Sequence, residues 1–340
     1  MNPPVPAARP PRNARLDRLI AELAALLGPV EDRLTAAGGD TTGPVVLVIG
    51  PPRSGTTLLT QWLAASGRFA VPTNLLARFS RTPALGARIQ ALLTDPAYAF
   101  GEELFDIAAD SASGGFVSGN GKTRGALAPN EFAFFWRRFL RTEEIAPLGS
   151  DGVAAADFAG IRAAFAQMEA VLEKPIATKG MFLKYDLADA ARLLPRAFFV
   201  RTRRDPVANA LAILAARERQ NGNRETWYSS RPPEFERLRA LDPVRQVAGQ
   251  VHFTERAIDA GLAAVDPSRW LELGYETFCA SPAAAWSALS EKLRALGHDV
   301  GDPLLSPGRF DATSAARATS PDAPAVAAAL AEFAQHGVRA

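Results

Sequence analysis

A glycine-containing segment between residues 50 and 57 carries the clearest chemistry in this 340-residue chain. Gly50 and Gly55 have the spacing of a phosphate-binding loop, whose backbone N–H groups turn toward one anion. Loops for nucleoside triphosphates place a lysine directly after the second glycine, but Thr56 occupies that position here. The cation lies inside the loop, at Arg53, whose planar guanidinium can bind two oxygens of one anion. The segment therefore predicts an anion site without the lysine of a triphosphate loop.

The residues on either side of this loop predict the elements that position it. Val45–Ile49 is a short apolar run bounded by Gly-Pro pairs, which is typical of a buried parallel strand. Residues 57–66 are then predicted to form a helix whose positive end faces the anion. Strands and helices alternate again from residue 176 onward. The sequence thus predicts an α/β fold with a parallel sheet, flanked by helices on both faces and by extra helices at the two termini.

Two further cations follow predicted strands. Residues 176–180 form a short strand with Lys179 near its end, and residues 197–202 form another that is followed by Arg204. Ligands of open parallel sheets bind outside the carboxyl ends of the strands, so both cations are expected near Arg53. Lys184 is the alternative to Lys179 as the lysine near Arg53.

The segment P-R-S-G-T-T-L-L at residues 52–59 resembles the 5′-phosphosulfate loop of sulfotransferases, in particular the tyrosylprotein type. These enzymes use 3′-phosphoadenosine 5′-phosphosulfate (PAPS), and the resemblance covers roughly residues 44–297. It implies PAPS as co-substrate, no metal requirement, and a catalytic lysine at Lys179 that stabilises charge near the leaving group. The loop residues that it implies as donor-binding are Pro52, Arg53, Ser54, Gly55, Thr56 and Thr57.

A second motif, Arg204 followed by Asp-Pro, resembles the sulfotransferase signature that binds the 3′-phosphate of PAPS. In that signature a serine follows the arginine by eight positions, but Ala212 stands there in this chain. The departure removes one hydrogen bond to the phosphate. The candidates to replace it are polar or basic residues nearby or in the last forty positions: Asn209, Arg201, Arg203, Arg309 and Arg317.

Sulfuryl transfer to a hydroxyl or amine needs a base that accepts the acceptor's proton. Many relatives place a glutamate or histidine after the second strand, where this chain has Thr73 and Asn74. Glu131, at the start of an aromatic helix, is the predicted base because apolar neighbours favour a neutral carboxyl. Glu102 and Glu103 are alternatives. A purely structural role for Glu131 at a helix N-terminus fits equally well.

Composition excludes several other classes of protein. A net charge of +2 with scattered basic residues argues against a nucleic-acid surface. The single cysteine, Cys279, and three histidines without ligand spacing predict neither a disulfide framework nor a metal site, and they favour a cytoplasmic location. No apolar run approaches the roughly 20 residues that span a bilayer, so no transmembrane segment is predicted.

One domain is predicted over residues 13–300, with a disordered start at 1–12 and a tail at 301–340 that contains one helix. An amphipathic helix after Asn13 either packs on the main domain or forms a homodimer contact. A Gly/Ser-rich stretch at residues 111–125 predicts a mobile loop over the substrate.

The acceptor is expected to be a carbohydrate, a glycolipid or another small metabolite. The Gly/Ser-rich loop and the Trp227-Tyr228 pair suit such acceptors. Two other functions remain open. One is a kinase or another NTP-dependent phosphotransferase on a degenerate phosphate loop, and the other is a non-catalytic nucleotide-binding protein.

Overall fold

The computed structural model describes residues 13–98, 116, 118 and 122–338. At its centre lies a sheet of four strands in the order β2-β1-β3-β4, and every neighbouring pair is parallel. The predicted α/β class with a parallel sheet and flanking helices is confirmed. The strands are β1 (Val45–Ile49), β2 (Ala177–Lys179), β3 (Ala197–Arg203) and β4 (Trp270–Gly274).

Helices surround the sheet and make up most of the remaining described chain. Three short 3₁₀ helices accompany them, at Leu76–Phe79, Pro96–Tyr98 and Pro267–Arg269. In chain order the α-helices are α1 (Ala14–Thr35), α2 (Thr56–Ala65), α3 (Pro83–Thr94), α4 (Ala133–Leu140), α5 (Gly149–Ala155), α6 (Phe158–Leu172), α7 (Leu187–Leu193), α8 (Pro206–Asn221), α9 (Phe235–Leu238), α10 (Pro243–Ala263), α11 (Tyr275–Ala280), α12 (Pro282–Ala295), α13 (Ser314–Ala318) and α14 (Ala323–His336).

Strand β1 explains why the sheet needs helices on both faces. All five of its residues are buried, and successive side chains point to opposite faces of a strand. Leu47 and Ile49 join a core with the aromatic residues of α4 and α6, whereas Val46 and Val48 join another with Trp62 of α2. Burial on two faces accounts for the uninterrupted apolar run that the sequence shows.

The register of the sheet brings the predicted cations to one edge. Val48 of β1 pairs with Lys179 of β2, and Ile49 pairs with Arg201 of β3. The loop after β1 and the turn after β3 therefore leave the sheet at the same level. This edge carries Arg53, Lys179 and Arg204 together, as expected for the carboxyl ends of parallel strands.

The margins of the sheet are short. Between α2 and the 3₁₀ helix at Leu76–Phe79 the chain adds one parallel bridge, between Ala70 and Ile176. Strand β4 ends at Gly274, and Tyr275 begins α11. Most of the loop predicted at residues 111–125 lies outside the described residues.

The N-terminal helix α1 packs on the domain through a polar contact. Its N-cap is Asn13, whose Oδ1 accepts from the backbone N–H of Leu16 at 3.0 Å, as predicted. Near its other end the buried carboxylate of Glu31 accepts from two N–H groups at the start of α3. Burial raises the pKa of Glu31. The opposite face exposes Leu19, Leu23 and Leu26, so the homodimer contact stays a prediction.

The C-terminal helix α14 is part of the packed structure. Val326, Ala329 and Phe333 of α14 are buried in a cluster with apolar residues of α8 and α10. The segment before α14 runs back to the carboxyl edge of the sheet, where Thr313 contacts Arg204. None of the described helices combines the length and hydropathy needed to cross a membrane.

Candidate active site

A cavity of about 510 Å³ opens at the carboxyl edge of the sheet. Its volume lies within the range of small-molecule sites, roughly 300–1,000 Å³. Four of the residues predicted from sequence line it together: Arg53, Glu131, Lys179 and Arg204. The described lining contains four cations, including Arg309, and two carboxylates, including Asp311. The cavity therefore carries a surplus of positive charge.

The loop between β1 and α2 forms one wall of this cavity. Pro52, Gly55, Thr56 and Thr57 all line it, next to Arg53. The backbone of Gly55 has a φ of 104°, and a Cβ atom there would lie 2.5 Å from the ring of Tyr275. Only glycine lets the backbone approach so closely. The helix α2 begins directly behind, so its N-terminal N–H groups face the cavity.

Two residues predicted to contact the donor instead hold the loop from behind. Ser54 is fully buried, and its hydroxyl bonds to the carbonyl of Pro51 at 2.8 Å and to the hydroxyl of Thr202 at 2.7 Å. Asn209 is also fully buried and donates from Nδ2 to the carbonyl of Pro52 at 2.6 Å. Neither side chain lines the cavity. Both fix the backbone that would bind the anion.

Arg53 has the backbone geometry of a functional position. Its φ is 66°, which is uncommon for a residue other than glycine and costs stability. Burial raises the pKa of the nearby Tyr228 phenol, and the charge of Arg53 opposes this effect. The Nε of Arg53 is buried and has no hydrogen-bond partner among the described residues. Such an unsatisfied donor beside a basic cavity fits an anionic ligand.

Lys179 and Glu131 form an ion pair at the cavity wall. The ammonium group of Lys179 lies 2.8 Å from Oε1 of Glu131 and donates to the hydroxyl of Thr57 at 2.7 Å. The lysine side chain is only 3% exposed, whereas that of Glu131 is 37% exposed. The predicted base and the predicted catalytic lysine are therefore in direct contact.

The surroundings of Glu131 differ from the apolar setting that the sequence predicts. Phe132 and Phe135 stack on each other with ring centroids 4.6 Å apart and pack into the core. Glu131 precedes helix α4, which begins at Ala133. The ion pair with Lys179 is its main described contact. The alternatives Glu102 and Glu103 lie outside the described residues.

Arg204 is held in place by a network from the C-terminal segment. Its guanidinium stacks on the ring of Tyr275 at 4.6 Å and donates to the carbonyl of Arg53 at 3.0 Å. It also donates to the hydroxyls of Ser314 and Thr313, each at 3.0 Å. Burial lowers the pKa of Arg204, and the charge of Arg53 adds to this effect against the opposing influence of Tyr275 and Glu276.

The candidates proposed to replace the serine at Ala212 lie in different places. Arg201 and Arg203 form ion pairs with Glu255, Asp259 and Glu272 and do not line the cavity. Arg309 lines it, with a side chain that is 79% exposed. Arg317 lies close enough to Arg204 and Arg53 for their charges to lower its pKa further, after burial as the main cause.

Lys184, the alternative to Lys179, lies behind the loop and does not line the cavity. Its ammonium group is fully buried and donates to the hydroxyl of Ser230 at 2.9 Å and to the carbonyl of Gly50 at 3.3 Å. Burial lowers the pKa of Lys184 to about 7. Lys179 therefore lines the cavity, whereas Lys184 supports the loop that forms its wall.

Sequence reasoning missed the hydroxyls of Thr313 and Ser314. They lie 109 and 110 residues after Arg204, in a segment rich in alanine, proline and serine that carries no recognisable motif. Tyr228, which the sequence connects only with the acceptor, also lines this cavity. Within the described part of the chain, no three His, Cys, Asp or Glu side chains are grouped so that they could hold a metal ion.

The fold and this site define an α/β protein with an anion-binding loop at the carboxyl edge of a parallel sheet. Residues 44–295 match the model of the Sulfotransferase family, which spans more than half of the chain. The chain therefore belongs to the sulfotransferase family. No curated protein sequence matches it.

Solved structures show the same fold. A sulfotransferase from Mycobacterium avium is similar with a TM-score of 0.51 and 14% identity, over 97% of this chain and 88% of that chain. A sulfotransferase from Mycobacterium tuberculosis H37Rv also has a TM-score of 0.51 and 14% identity, over 92% of this chain and 82% of that chain. These likenesses concern the fold alone.

Proposed function

We propose that this protein transfers a sulfuryl group from PAPS to a hydroxyl or amine of a small-molecule or glycan acceptor. One observation carries the proposal. Three cations at or just after the ends of three different strands, Arg53, Lys179 and Arg204, line a single cavity together with a loop of backbone N–H groups. A donor with anionic groups at two separate positions requires this arrangement.

The cavity residues divide between the two anionic ends of the donor. The loop amides, Arg53 and the hydroxyls of Thr56 and Thr57 are suited to the 5′-phosphosulfate. Arg204 is suited to the 3′-phosphate. Two further groups near Arg204 take over from the serine that Ala212 replaces: the hydroxyl of Thr313 and the guanidinium of Arg317. The hydroxyl of Ser314 accepts from Arg204 and donates to Glu276, so it positions the arginine.

The transfer that we propose exchanges one bond to sulfur for another. The acceptor oxygen or nitrogen forms a bond to sulfur, and the bond from sulfur to the 5′-phosphate oxygen breaks. The phosphate oxygen keeps the electron pair of the broken bond. The acceptor's proton goes to a carboxylate. Glu131 is that carboxylate. Protonation removes its charge and weakens its ion pair with Lys179. The ammonium group then becomes available to the charge on the leaving phosphate.

Thr56, which follows the second glycine of the loop, favours PAPS over ATP as the donor. A triphosphate loop uses a lysine there to reach the β- and γ-phosphates, whereas Thr56 begins α2 in this chain. The cation is supplied by Arg53 from within the loop. Its forked guanidinium suits the oxygens of a phosphosulfate.

The rest of the cavity lining indicates which kind of acceptor fits. Ile145, Met181, Phe116 and Tyr228 give one part of it an apolar character. The described cations lie on the loop and on the segments suited to PAPS, or, like Arg309, project toward solvent. An acceptor that combines a hydroxyl with an apolar portion, such as a glycolipid or a small metabolite, fits best.

Calorimetry and turnover test the donor. Adenosine 3′,5′-bisphosphate is expected to bind at micromolar concentrations, and ATP with magnesium at least tenfold more weakly. Transfer from ³⁵S-labelled PAPS is then measured with a panel of phenols, alcohols, sugars and glycolipids, and mass spectrometry identifies products heavier by one sulfuryl group. Preferred binding of ATP would support a kinase, and binding without any transfer would support a non-catalytic nucleotide-binding protein.

The base is tested by a pair of carboxylate variants. Glu131→Gln is expected to lower kcat by roughly 10²- to 10⁴-fold, because it cannot accept the proton. Asp311→Asn removes the other described carboxylate of the lining, whose side chain is 99% exposed and which lies 3.8 Å from Arg309. It is expected to retain turnover. Retained turnover in Glu131→Gln together with lost turnover in Asp311→Asn would show that Asp311 is the base.

A further inference from the structure

The backbone on either side of Glu131 is held by the amide side chains of two asparagines. Nδ2 of Asn130 donates to Oδ1 of Asn74 at 2.8 Å, which joins two positions that are 56 residues apart. Oδ1 of Asn130 accepts from the backbone N–H of Phe132 at 2.8 Å. This bond closes an Asx turn in which Glu131 is the middle residue. The proposed base therefore lies in a turn whose side chain is anchored to another segment.

Asn74 uses the rest of its amide to fasten the chain that leads to Glu131. Its Nδ2 faces three oxygens: the carbonyl of Gly125 at 2.9 Å, and the hydroxyl and the carbonyl of Thr123 at 3.2 and 3.3 Å. The Thr123 hydroxyl in turn donates to the carbonyl of Pro129 at 2.6 Å. Only this orientation of the Asn74 amide satisfies both of its ends. One side chain thus joins both ends of the segment that precedes the base.

Main-chain hydrogen bonds join the same two segments. Residues 72–75 and 126–130 are connected by three backbone bonds of 2.7–3.0 Å: Asn130 to Pro72, Asn74 to Ala128, and Leu75 to Ala126. A little earlier in the chain, Ala70 pairs with Ile176, directly before the strand β2 that ends at Lys179. The two partners of the Glu131–Lys179 ion pair are therefore held by one connected frame.

The conformation of Phe132 shows that this frame imposes a particular backbone. Its φ is 54°, in the left-handed region that favours glycine. Such a conformation persists in other residues where the surrounding structure enforces it. Burial of the Phe132 side chain and the bond from its N–H to Asn130 supply that enforcement. The direction in which the chain passes through Glu131 is fixed as a result.

The carboxylate of Glu131 depends on this backbone for its position. Its side chain is 37% exposed, and its main described contact is the ion pair with Lys179. In the proposed transfer the carboxylate gains a proton, which weakens that ion pair. The base must then keep its place through the backbone that carries it.

We propose that Asn74, acting through Asn130, is a positioning residue for the base Glu131. The inference rests on the proposed function. Neither asparagine lines the cavity, so their effect on the reaction passes through the base. Their role is to hold the carboxylate within reach of the acceptor's proton, where a misplacement of about 1 Å can cost roughly 10²-fold in rate.

A double-mutant cycle between Asn74 and Glu131 tests this inference. Asn74→Ala is expected to lower kcat for ³⁵S transfer from PAPS by roughly 10- to 100-fold. In Glu131→Gln the same change is expected to alter kcat by less than about twofold, because no base is left to be positioned. The affinity for adenosine 3′,5′-bisphosphate, measured by calorimetry, should stay within about twofold of wild type in Asn74→Ala, since other residues form the donor site.

Variants of Asn130 provide the conservative comparison. Asn130→Ala loses the oxygen that accepts from Phe132, and we expect it to lower kcat as Asn74→Ala does. Asn130→Ser keeps a side-chain oxygen that can accept from the N–H two residues later, so it should recover part of kcat.

Asn13→Ala is the matched control. It removes another asparagine that accepts from a backbone N–H, at the start of α1 and outside the cavity lining, and it is expected to keep the kcat of wild type. Thermal unfolding of each variant verifies the fold.

Three results would overturn the inference. They are an equal loss of kcat from Asn74→Ala in wild type and in Glu131→Gln, an unchanged kcat in Asn74→Ala, and a loss of bisphosphate affinity as large as the loss of kcat. Failure of the proposed function looks different, because wild type itself would transfer no label or Glu131→Gln would keep full turnover. Either of these results overturns the positioning role as well.

Discussion

Two clusters of basic residues lie within a few positions of each other, and they have opposite electrostatic surroundings. Arg201 on β3 is 3% exposed and lies between Glu255 and Asp259 of α10 and Glu272 of β4. Arg204, three positions later, donates to neutral acceptors among the described residues: the Arg53 carbonyl and the hydroxyls of Thr313 and Ser314, the second of which donates to Glu276. Burial opposes the charged form of both arginines, yet carboxylates raise the pKa of Arg201 and the pKa of Arg204 is lowered.

The difference separates a structural cluster from a binding site. In the first cluster two arginines face three carboxylates, so the charges are satisfied within the chain. In the cavity the described lining has four cations and two carboxylates. Lys179 and Arg309 each have a carboxylate partner, whereas Arg53 and Arg204 form no ion pair with the described residues. Burying such charges costs free energy, which an anionic ligand would recover on binding. A surplus of charge, rather than the number of arginines, therefore distinguishes the cavity.

Arg201→Ala tests the structural half of the comparison and should have the largest effect. It leaves the Glu255 carboxylate, which is 14% exposed, without its buried partner. The free energy of unfolding is expected to fall by about 3–5 kcal/mol, measured by urea denaturation. Arg203→Ala, at a side chain that is 43% exposed, should cost less than about 1 kcal/mol. Equal stability of Arg201→Ala and wild type would contradict this view of the cluster.

Arg53→Ala tests the cavity cluster. We expect kcat for PAPS to fall by roughly 10²- to 10³-fold, the usual cost of losing a donor that stabilises developing charge. The free energy of unfolding should hardly change, because alanine keeps the same strained φ of 66° and the variant loses a guanidinium whose buried Nε has no partner among the described residues. Arg53→Lys keeps the charge without the planar fork and should recover only part of the activity. Full activity of Arg53→Ala would remove the basis of the proposed function.

Arg204→Ala sharpens the division of the cavity into two anion sites. The affinity for adenosine 3′,5′-bisphosphate is expected to fall roughly 10- to 100-fold, and that for adenosine 5′-phosphate to stay nearly constant, since only the former carries the 3′-phosphate. Calorimetry measures both constants for wild type and variant. A parallel loss for the two nucleotides would show that Arg204 acts through the loop carbonyl of Arg53 instead.

Ser314→Ala should have the smallest effect. It removes the hydroxyl that accepts from Arg204 at 3.0 Å and donates to Glu276, so Arg204 is held less firmly and the bisphosphate is expected to bind roughly fivefold more weakly. Ser287→Ala, on the exposed surface of α12, is the matched control. An unchanged affinity in Ser314→Ala would show that Ser314 does not help to position Arg204.

Much of the site follows from local sequence. The apolar run Val45–Ile49, the glycines of the loop and the N-terminus of α2 are neighbours in the chain, so their types and spacing predict strand, turn and helix directly. Lys179 and Arg204 were predicted because each comes at or just after the end of a strand. The parallel topology, once inferred, brings these strand ends together.

Contacts between segments that are far apart in the sequence could not be predicted from local patterns. Lys179 and Glu131 are separated by 48 positions, and no local pattern in either segment indicates that they pair. Arg201 and Arg204 both seemed able to bind phosphate, because sequence shows a cation but not its counter-ions. Asn209 lies near the missing serine and was a candidate to replace it, yet its side chain donates to the loop carbonyl of Pro52.

The sequence by itself determined the fold class, the anion-binding loop and the edge of the sheet where the chemistry belongs. These properties depend on backbone conformation and on hydrophobic periodicity, which act over a few residues. Only the tertiary structure decided which cations keep an unbalanced charge, and which hydroxyls and carboxylates surround them. That outcome depends on packing between segments as far apart as Arg204 and Ser314, because charge balance is a property of neighbours in space.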